Sequence, residues 1–276
     1  MVTVGVFGAA GSMGTRVVAK LNNNKDYKLL YVEAGEQGQA KLAKRGLCPT
    51  PPDQAATQAD IIFLAVPDRL IGTVAADIVP RLKSGAMVVC LDPAAPHGGK
   101  LPPRGDITYF VTHPAHPPVF NDETDPEARR DFFGSGKAKQ AIVCALMQGP
   151  ETDYAKGEAL AREVFGPVLR SHRVTIDQMI LLEPVLSETV SATCVTIVRE
   201  AMDEAIRRGV PAQAARDFLL GHIHISLAIL FNEIDWEVSA GCKQAIADAR
   251  KQIFQPDWKK VFEPAQVAAS VRSITG

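Results

Sequence analysis

Val2-Thr3-Val4-Gly5-Val6-Phe7-Gly8-Ala9-Ala10-Gly11-Ser12-Met13-Gly14 is the stretch that decides the fold. An apolar run typical of a strand covered on both faces leads into a set of glycines, and a helical pattern, Ser12–Leu21, follows. A lone glycine triplet says little. Between a buried strand and a helix it is the setting that a dinucleotide-binding turn requires. Gly8 permits the tight turn. Ala10 stands in the usual second-glycine place beside Gly11, where a small residue lets the backbone approach a pyrophosphate, and Gly14 allows close helix–strand packing. The N–H groups around Ser12 and Met13 then meet the phosphate at the positive end of the helix.

Working outward, Glu33 ends the next strand, Lys28–Glu33, roughly 20 residues past the last glycine. A carboxylate there accepts both ribose hydroxyls and repels a 2′-phosphate, so NAD is expected over NADP. The competing reading is a structural turn followed by a solvated glutamate. Further strands are expected at Ile61–Val66, Met87–Leu91, Tyr109–Thr112, Ala141–Met147 and Val168–Val174, with helices at Gln37–Ala43 and Asp68–Leu82. Their alternation argues a parallel sheet wrapped by helices. Asp68, after the strand Ile61–Val66, stands where it can touch the nicotinamide ribose or simply cap its helix.

After Pro150 the rhythm becomes helical: Thr152–Phe165, then Asp177–Arg208, Ala212–Phe231, Ala240–Ile253 and Pro264–Ser273. Gly209 stops the long helix and Pro211 opens the next. The chain therefore reads as α/β: an N-terminal Rossmann doubly wound sheet, residues 1–174, followed by an all-helical C-terminal domain, residues 175–276, for substrate binding and dimerisation. Phe218–Asn232 lacks Asp, Glu, Lys and Arg but is too short for a membrane span, so a buried helix is expected. A stretch apolar nearly all round needs covering, and a second copy of the chain can supply it.

With 30 basic against 31 acidic side chains among 276 residues, bulk charge favours neither nucleic acid nor an anionic membrane. No basic, apolar leader opens the sequence, and five scattered cysteines lack any C-x-x-C pair, so a cytoplasmic protein with reduced thiols is expected.

Two places carry candidate chemistry. Thr112-His113-Pro114-Ala115-His116-Pro117-Pro118 sets histidines at the end of a strand, facing the cofactor cleft if the Rossmann reading holds; His97, after Asp92-Pro93, is a third candidate for that cleft. A histidine suits proton exchange with a hydroxyl and, when neutral, a metal. Glu183 interrupts the apolar run Ile180–Leu186, and a carboxylate buried alone is costly, so a cation, a metal or a hydrogen-bonding ligand should lie near it. Glu188 has more polar company and reads as an ordinary helix residue. His222 and His224, two apart on a helix, point in different directions and read mainly as packing residues.

Taken together, these pieces resemble the 6-phosphogluconate dehydrogenase and β-hydroxyacid dehydrogenase superfamily over essentially the whole chain. The glycine spacing and Thr-His-Pro are also similar to prephenate dehydrogenase. Within the superfamily the chain looks most like a bacterial group of sugar-acid enzymes, on its glycines, the Glu33 strand, Thr112–Pro118 and Leu182-Glu183-Pro184. The resemblance implies a Lys and, four residues on, an Asn at the start of the long helix; Glu183 and Ser187 stand there instead. A divalent metal, zinc among the candidates, held by His113 and Glu183 is the expected replacement for the missing amine. The implied activity is NAD-dependent oxidation of a small sugar acid followed by an α-ketol shift. A hydroxyacid dehydrogenase without rearrangement and a non-catalytic NAD-binding regulator are the alternatives. A semialdehyde dehydrogenase fits less well, for lack of a convincing cysteine nucleophile.

Overall fold

The computed structural model describes residues Met1–Gly276. The chain forms two compact units, one of Met1–Pro184 with Ala268–Gly276 and one of Val185–Val267. The sheet-bearing unit thus takes in the first turns of the long helix and the C-terminal segment, both assigned from sequence to a second domain beginning at residue 175.

The first unit is built on strands β1 (Val2–Phe7), β2 (Tyr27–Val32), β3 (Ile61–Leu64), β4 (Met87–Cys90), β5 (Thr108–Pro114), β6 (Gln140–Gln148) and β7 (Val168–Arg173). They lie in the order β2-β1-β3-β4-β5-β6-β7. The first five run parallel. The sixth corrects the expectation of a parallel sheet: β6 is antiparallel to β5, and β7 runs parallel to β6. A continuous apolar run records burial on both faces but not strand direction.

Neighbouring residues of one strand serve opposite layers. Ile62 and Leu64 pack into one apolar cluster, whereas Phe63 between them packs into the other, alongside Val4 and Val6. Helices α1 (Ser12–Leu21), α2 (Glu36–Lys44), α3 (Pro52–Gln58), α4 (Asp68–Ile78), α5 (Ala94–His97) and α6 (Thr152–Val164) fill the connections. The short α3 was not anticipated; Pro52 opens it at the helix position where a missing N–H costs least.

Helix α7 (Ile176–Ile180) begins on a reciprocal cap. Gln178 N–H donates to Thr175 Oγ1 at 3.1 Å, and Thr175 N–H donates to Gln178 Oε1 at 2.9 Å. Beyond it the turns widen to a π-type stretch, Leu181–Ala192, with Pro184 inside. A proline ring collides with the carbonyl four residues back and cannot donate to it, so a wider turn relieves a clash that an ordinary helix would keep. The continuous helix Ile176–Arg207 is long and apolar enough to cross a membrane by length and composition alone. Its Met179, however, is wholly buried in a core cluster beside strands of the sheet.

The second unit holds α8 (Thr193–Arg207), α9 (Ala212–Leu230) and α10 (Ala240–Ile253); α11 (Pro264–Thr275) closes the chain. The expectation that Phe218–Asn232 forms a buried helix fails within the single chain. Only Ala228 is buried along α9, while Phe218 is 70% and Phe231, just past its end, is 68% exposed.

Candidate active site

In the order β2-β1-β3 the chain leaves β1 to one side and returns on the other, which opens a crevice at the carboxyl ends of these strands. The glycine loop lies there. Gly8 adopts φ +83°, and a Cβ on it would stand 2.3 Å from the Ala65 carbonyl oxygen. A Cβ on Gly14 would stand 2.0 Å from the Gly8 carbonyl oxygen, so helix and strand touch backbone to backbone. Gly11 caps α1 with no side-chain hydrogen bond, and Ser12 and Met13 begin the helix. First-turn amides without a capping side chain, at the positive helix end, fit a pyrophosphate.

Glu33 follows β2 and reaches back to this loop: Ala10 N–H donates to its Oε2 at 2.9 Å. That contact places a carboxylate beside the loop. Asp68 is half-buried in the first turn of α4. The capping residue is Pro67, so the alternative in which Asp68 caps its helix is corrected. Its charge, with that of Asp92 and chiefly burial, pushes the Cys90 thiol up to about 12.

The parallel β4 and β5 end on the same edge of the sheet as β1. There Asp92, just past β4, His113 on β5 and Glu183 bring three ligand-capable atoms within 4.8 Å of one another. His113 Nε2 lies 3.8 Å from Glu183 Oε1. The other ring nitrogen is 2.7 Å from the Leu91 carbonyl oxygen. A carbonyl only accepts, so Nδ1 carries the proton and Nε2 presents its lone pair to the two carboxylates. Burial lowers the His113 pKa, against the opposing pull of the Leu91 bond and the Asp92 charge. Burial thus favours the neutral ring, the form that ligates a metal. Burial likewise raises Asp92, opposed by the Ala94 N–H and by His113.

One imidazole lone pair and two carboxylates form a donor set suited to a divalent cation, whose ligands lie about 2–2.6 Å from it. Glu183 lies in the widened helical stretch, immediately before Pro184. Asp92 was missed from sequence, where it was named only as part of the segment leading to His97. The available signal was its place at the carboxyl end of a buried strand, the sheet edge already assigned to His113.

The remaining candidates stand outside this trio, although the His116 ring lies edge to face with that of His113, centroids 6.3 Å apart. His116, with φ +60°, has Nδ1 3.1 Å from the Phe133 carbonyl oxygen. The same carbonyl accepts from Arg16 of α1, whose guanidinium also donates to the Gly134 carbonyl at 2.5 Å and stacks over Phe133 and Phe165. His97 sits 3.5 Å from Asp177 on a separate cavity of about 590 Å³. His222 is held in its own helix, its Nδ1 2.8 Å from the Phe218 carbonyl. Ser187, Glu188, His222 and His224 are exposed. Cys90 and Cys144 are buried with raised pKa values, so neither supplies a thiolate nucleophile.

Comparisons with known proteins agree with this architecture. Residues 3–94 match the family NADP oxidoreductase coenzyme F420-dependent, and residues 121–275 match phosphogluconate dehydrogenase (decarboxylating) C-term. D-apionate oxidoisomerase of Cupriavidus necator is 52% identical over 273 residues, covering 99% of both chains. The enzyme of that name from Rhizobium rhizogenes is 51% identical over the full length of both. A crystal structure of a semialdehyde dehydrogenase NAD-binding protein from Cupriavidus necator, in complex with calcium and NAD, superposes over 100% of both chains with a TM-score of 0.96 at 51% identity. With identity at this level from end to end, the chain belongs to the D-apionate oxidoisomerase family.

Proposed function

We propose that this chain oxidises the 2-hydroxyl of D-apionate with NAD and then carries out an α-ketol shift to 3-oxo-isoapionate. The observation that carries the reading is the meeting of Asp92, His113 and Glu183 on the sheet edge that also bears the glycine loop. Likeness to full-length relatives named for this activity, and to a structure holding NAD and calcium, supports it.

Gly8, Ala10, Gly11, Ser12, Met13 and Gly14 would hold the pyrophosphate, Glu33 the adenosine ribose, and Asp68 the nicotinamide side. Bound NAD supplies the hydride acceptor for the hydrogen on C2. Asp92, His113 and Glu183 would hold a divalent cation, which supplies positive charge at the C2 oxygen and the neighbouring C3 hydroxyl. The Leu91 bond keeps the His113 lone pair aimed inward at no cost of reorientation. In the second stage the C3 oxygen becomes the ketone as a hydroxymethyl group moves with its bonding pair from C3 to C2, with no net redox change. Incubation of the enzyme with NAD and D-apionate is expected to yield a rearranged skeleton by carbon-13 NMR. A 2-oxo acid with the original branching as the stable product would reduce the enzyme to a simple hydroxyacid dehydrogenase.

Reduced thiols at all five cysteines accord with a cytoplasmic enzyme. The apolar side chains left open on α9, Phe218 and Leu230 among them, are best covered by a second copy of the chain. Sedimentation equilibrium is expected to report a dimer at micromolar concentration; a monomer there removes this assignment.

A further inference from the structure

Helix α2 reads Glu36-Gln37-Gly38-Gln39-Ala40-Lys41-Leu42-Ala43-Lys44, good helix formers apart from one glycine at its third position. Glycine inside a helix is destabilising relative to alanine, because the unfolded chain loses more freedom on ordering it. Nothing in the backbone calls for it, since Gly38 is not among the residues with positive φ. Space does. A Cβ on Gly38 would stand 2.3 Å from Glu33 Cγ, 2.5 Å from its Cδ and 2.8 Å from its Oε1. Gly221 and Gly241, also in helices, have nothing within 4 Å of such a Cβ.

The next residue completes the arrangement. Gln39 Nε2 donates to the Glu33 main-chain carbonyl at 3.0 Å, so α2 fixes the backbone of Glu33 while Gly38 leaves room for its side chain. The carboxylate then lies over bare helix backbone, with Oε2 accepting the Ala10 N–H of the glycine loop at 2.9 Å. With the main chain tied, a methyl group at position 38 is accommodated only by swinging the Glu33 side chain away from the loop.

We propose that Gly38 is a positioning residue for cofactor choice, leaving the space that holds the Glu33 carboxylate where the adenosine ribose binds. The inference rests on the reading above, in which Glu33 accepts the ribose hydroxyls of NAD. It separates two effects that a merely structural glycine would join. Gly38→Ala removes a poor helix former, so the melting temperature holds or rises, while cofactor recognition weakens.

The test is steady-state kinetics with NAD and with NADP on the intact enzyme, Gly38→Ala, Glu33→Ala and the double variant, with thermal melting of each. Gly38→Ala is expected to raise KM for NAD about tenfold or more, the scale of losing a hydrogen bond to a charged group. Its kcat changes far less, and the NAD-over-NADP preference falls. In the Glu33→Ala background the same change is expected to add nothing, because its target is gone. If Glu33→Ala impairs NAD use while Gly38→Ala does not, the positioning role is wrong and the reading of Glu33 stands. An equal loss from Gly38→Ala in both backgrounds also overturns the inference, since it then acts without Glu33. Should Glu33→Ala leave KM and preference unchanged, both the reading and the inference fall.

Discussion

Stripping divalent metal with EDTA is expected to lower turnover of D-apionate by at least about 100-fold while NAD still binds, and adding a divalent ion back should restore it. The size follows from the charge involved: a Lewis acid at a reacting oxygen contributes several kcal/mol, and each 1.4 kcal/mol is about tenfold in rate. The arrangement of side chains makes the same demand. Two carboxylates and a neutral imidazole converge within 4.8 Å, and like charges brought out of water at that range repel unless a cation lies among them. His113→Ala, Glu183→Gln and Asp92→Asn should each reproduce the loss, and none should respond fully to added metal. Elemental analysis decides the matter: full activity in protein shown to be metal-free would falsify the assignment, leaving the three side chains as an acid–base cluster. Asp92→Asn is the most informative variant, because Asp92 was placed in the group by the fold and not by any motif.

Gly14→Val is expected to abolish measurable NAD binding, with a dissociation constant raised at least about 100-fold by calorimetry and an unchanged far-ultraviolet spectrum. The added Cβ meets the Gly8 carbonyl oxygen at 2.0 Å, the Gly8 carbonyl carbon at 2.8 Å and the Ala9 Cα at 2.8 Å. All three are backbone, so no rotamer change relieves the contact and the turn itself must open. An opened turn takes the helix-end amides away from the pyrophosphate, and two lost charge-assisted hydrogen bonds at about 1.5–3 kcal/mol each account for the expected factor. Gly11→Ala is the internal control. Its nearest neighbour would be 3.3 Å away, so a far milder loss is expected. Equal effects at the two positions would show that the glycines serve flexibility and not close approach.

Much of this was legible in the sequence for identifiable reasons. The strand Val2–Phe7 and helices Ser12–Leu21 and Ala240–Ile253 fall where their patterns put them, because uninterrupted apolar runs and capped amphipathic periods are local signals. The reversal of β6 was not legible, since strand direction depends on the path of the connecting segment and leaves no mark on composition. Of the candidate metal group, Glu183 stood out as a charge in an apolar run and His113 as a histidine closing a strand. Asp92 did not stand out, because Asp-Pro is the ordinary vocabulary of turns. The apolar composition of α9 suggested a buried helix, but composition does not say whether the same chain supplies the cover, and here it leaves Phe218 and Leu230 exposed.

The bond from His113 to the Leu91 carbonyl has one more consequence. An imidazole passes protons along a chain by taking one on one side and releasing another from the opposite side. Here the far side is held by a main-chain carbonyl, an acceptor that has no proton to return, so the ring is a dead end for conduction toward Leu91. A proton released on the Nε2 side, where Glu183 lies 3.8 Å away, is therefore not relayed through the ring to the opposite face.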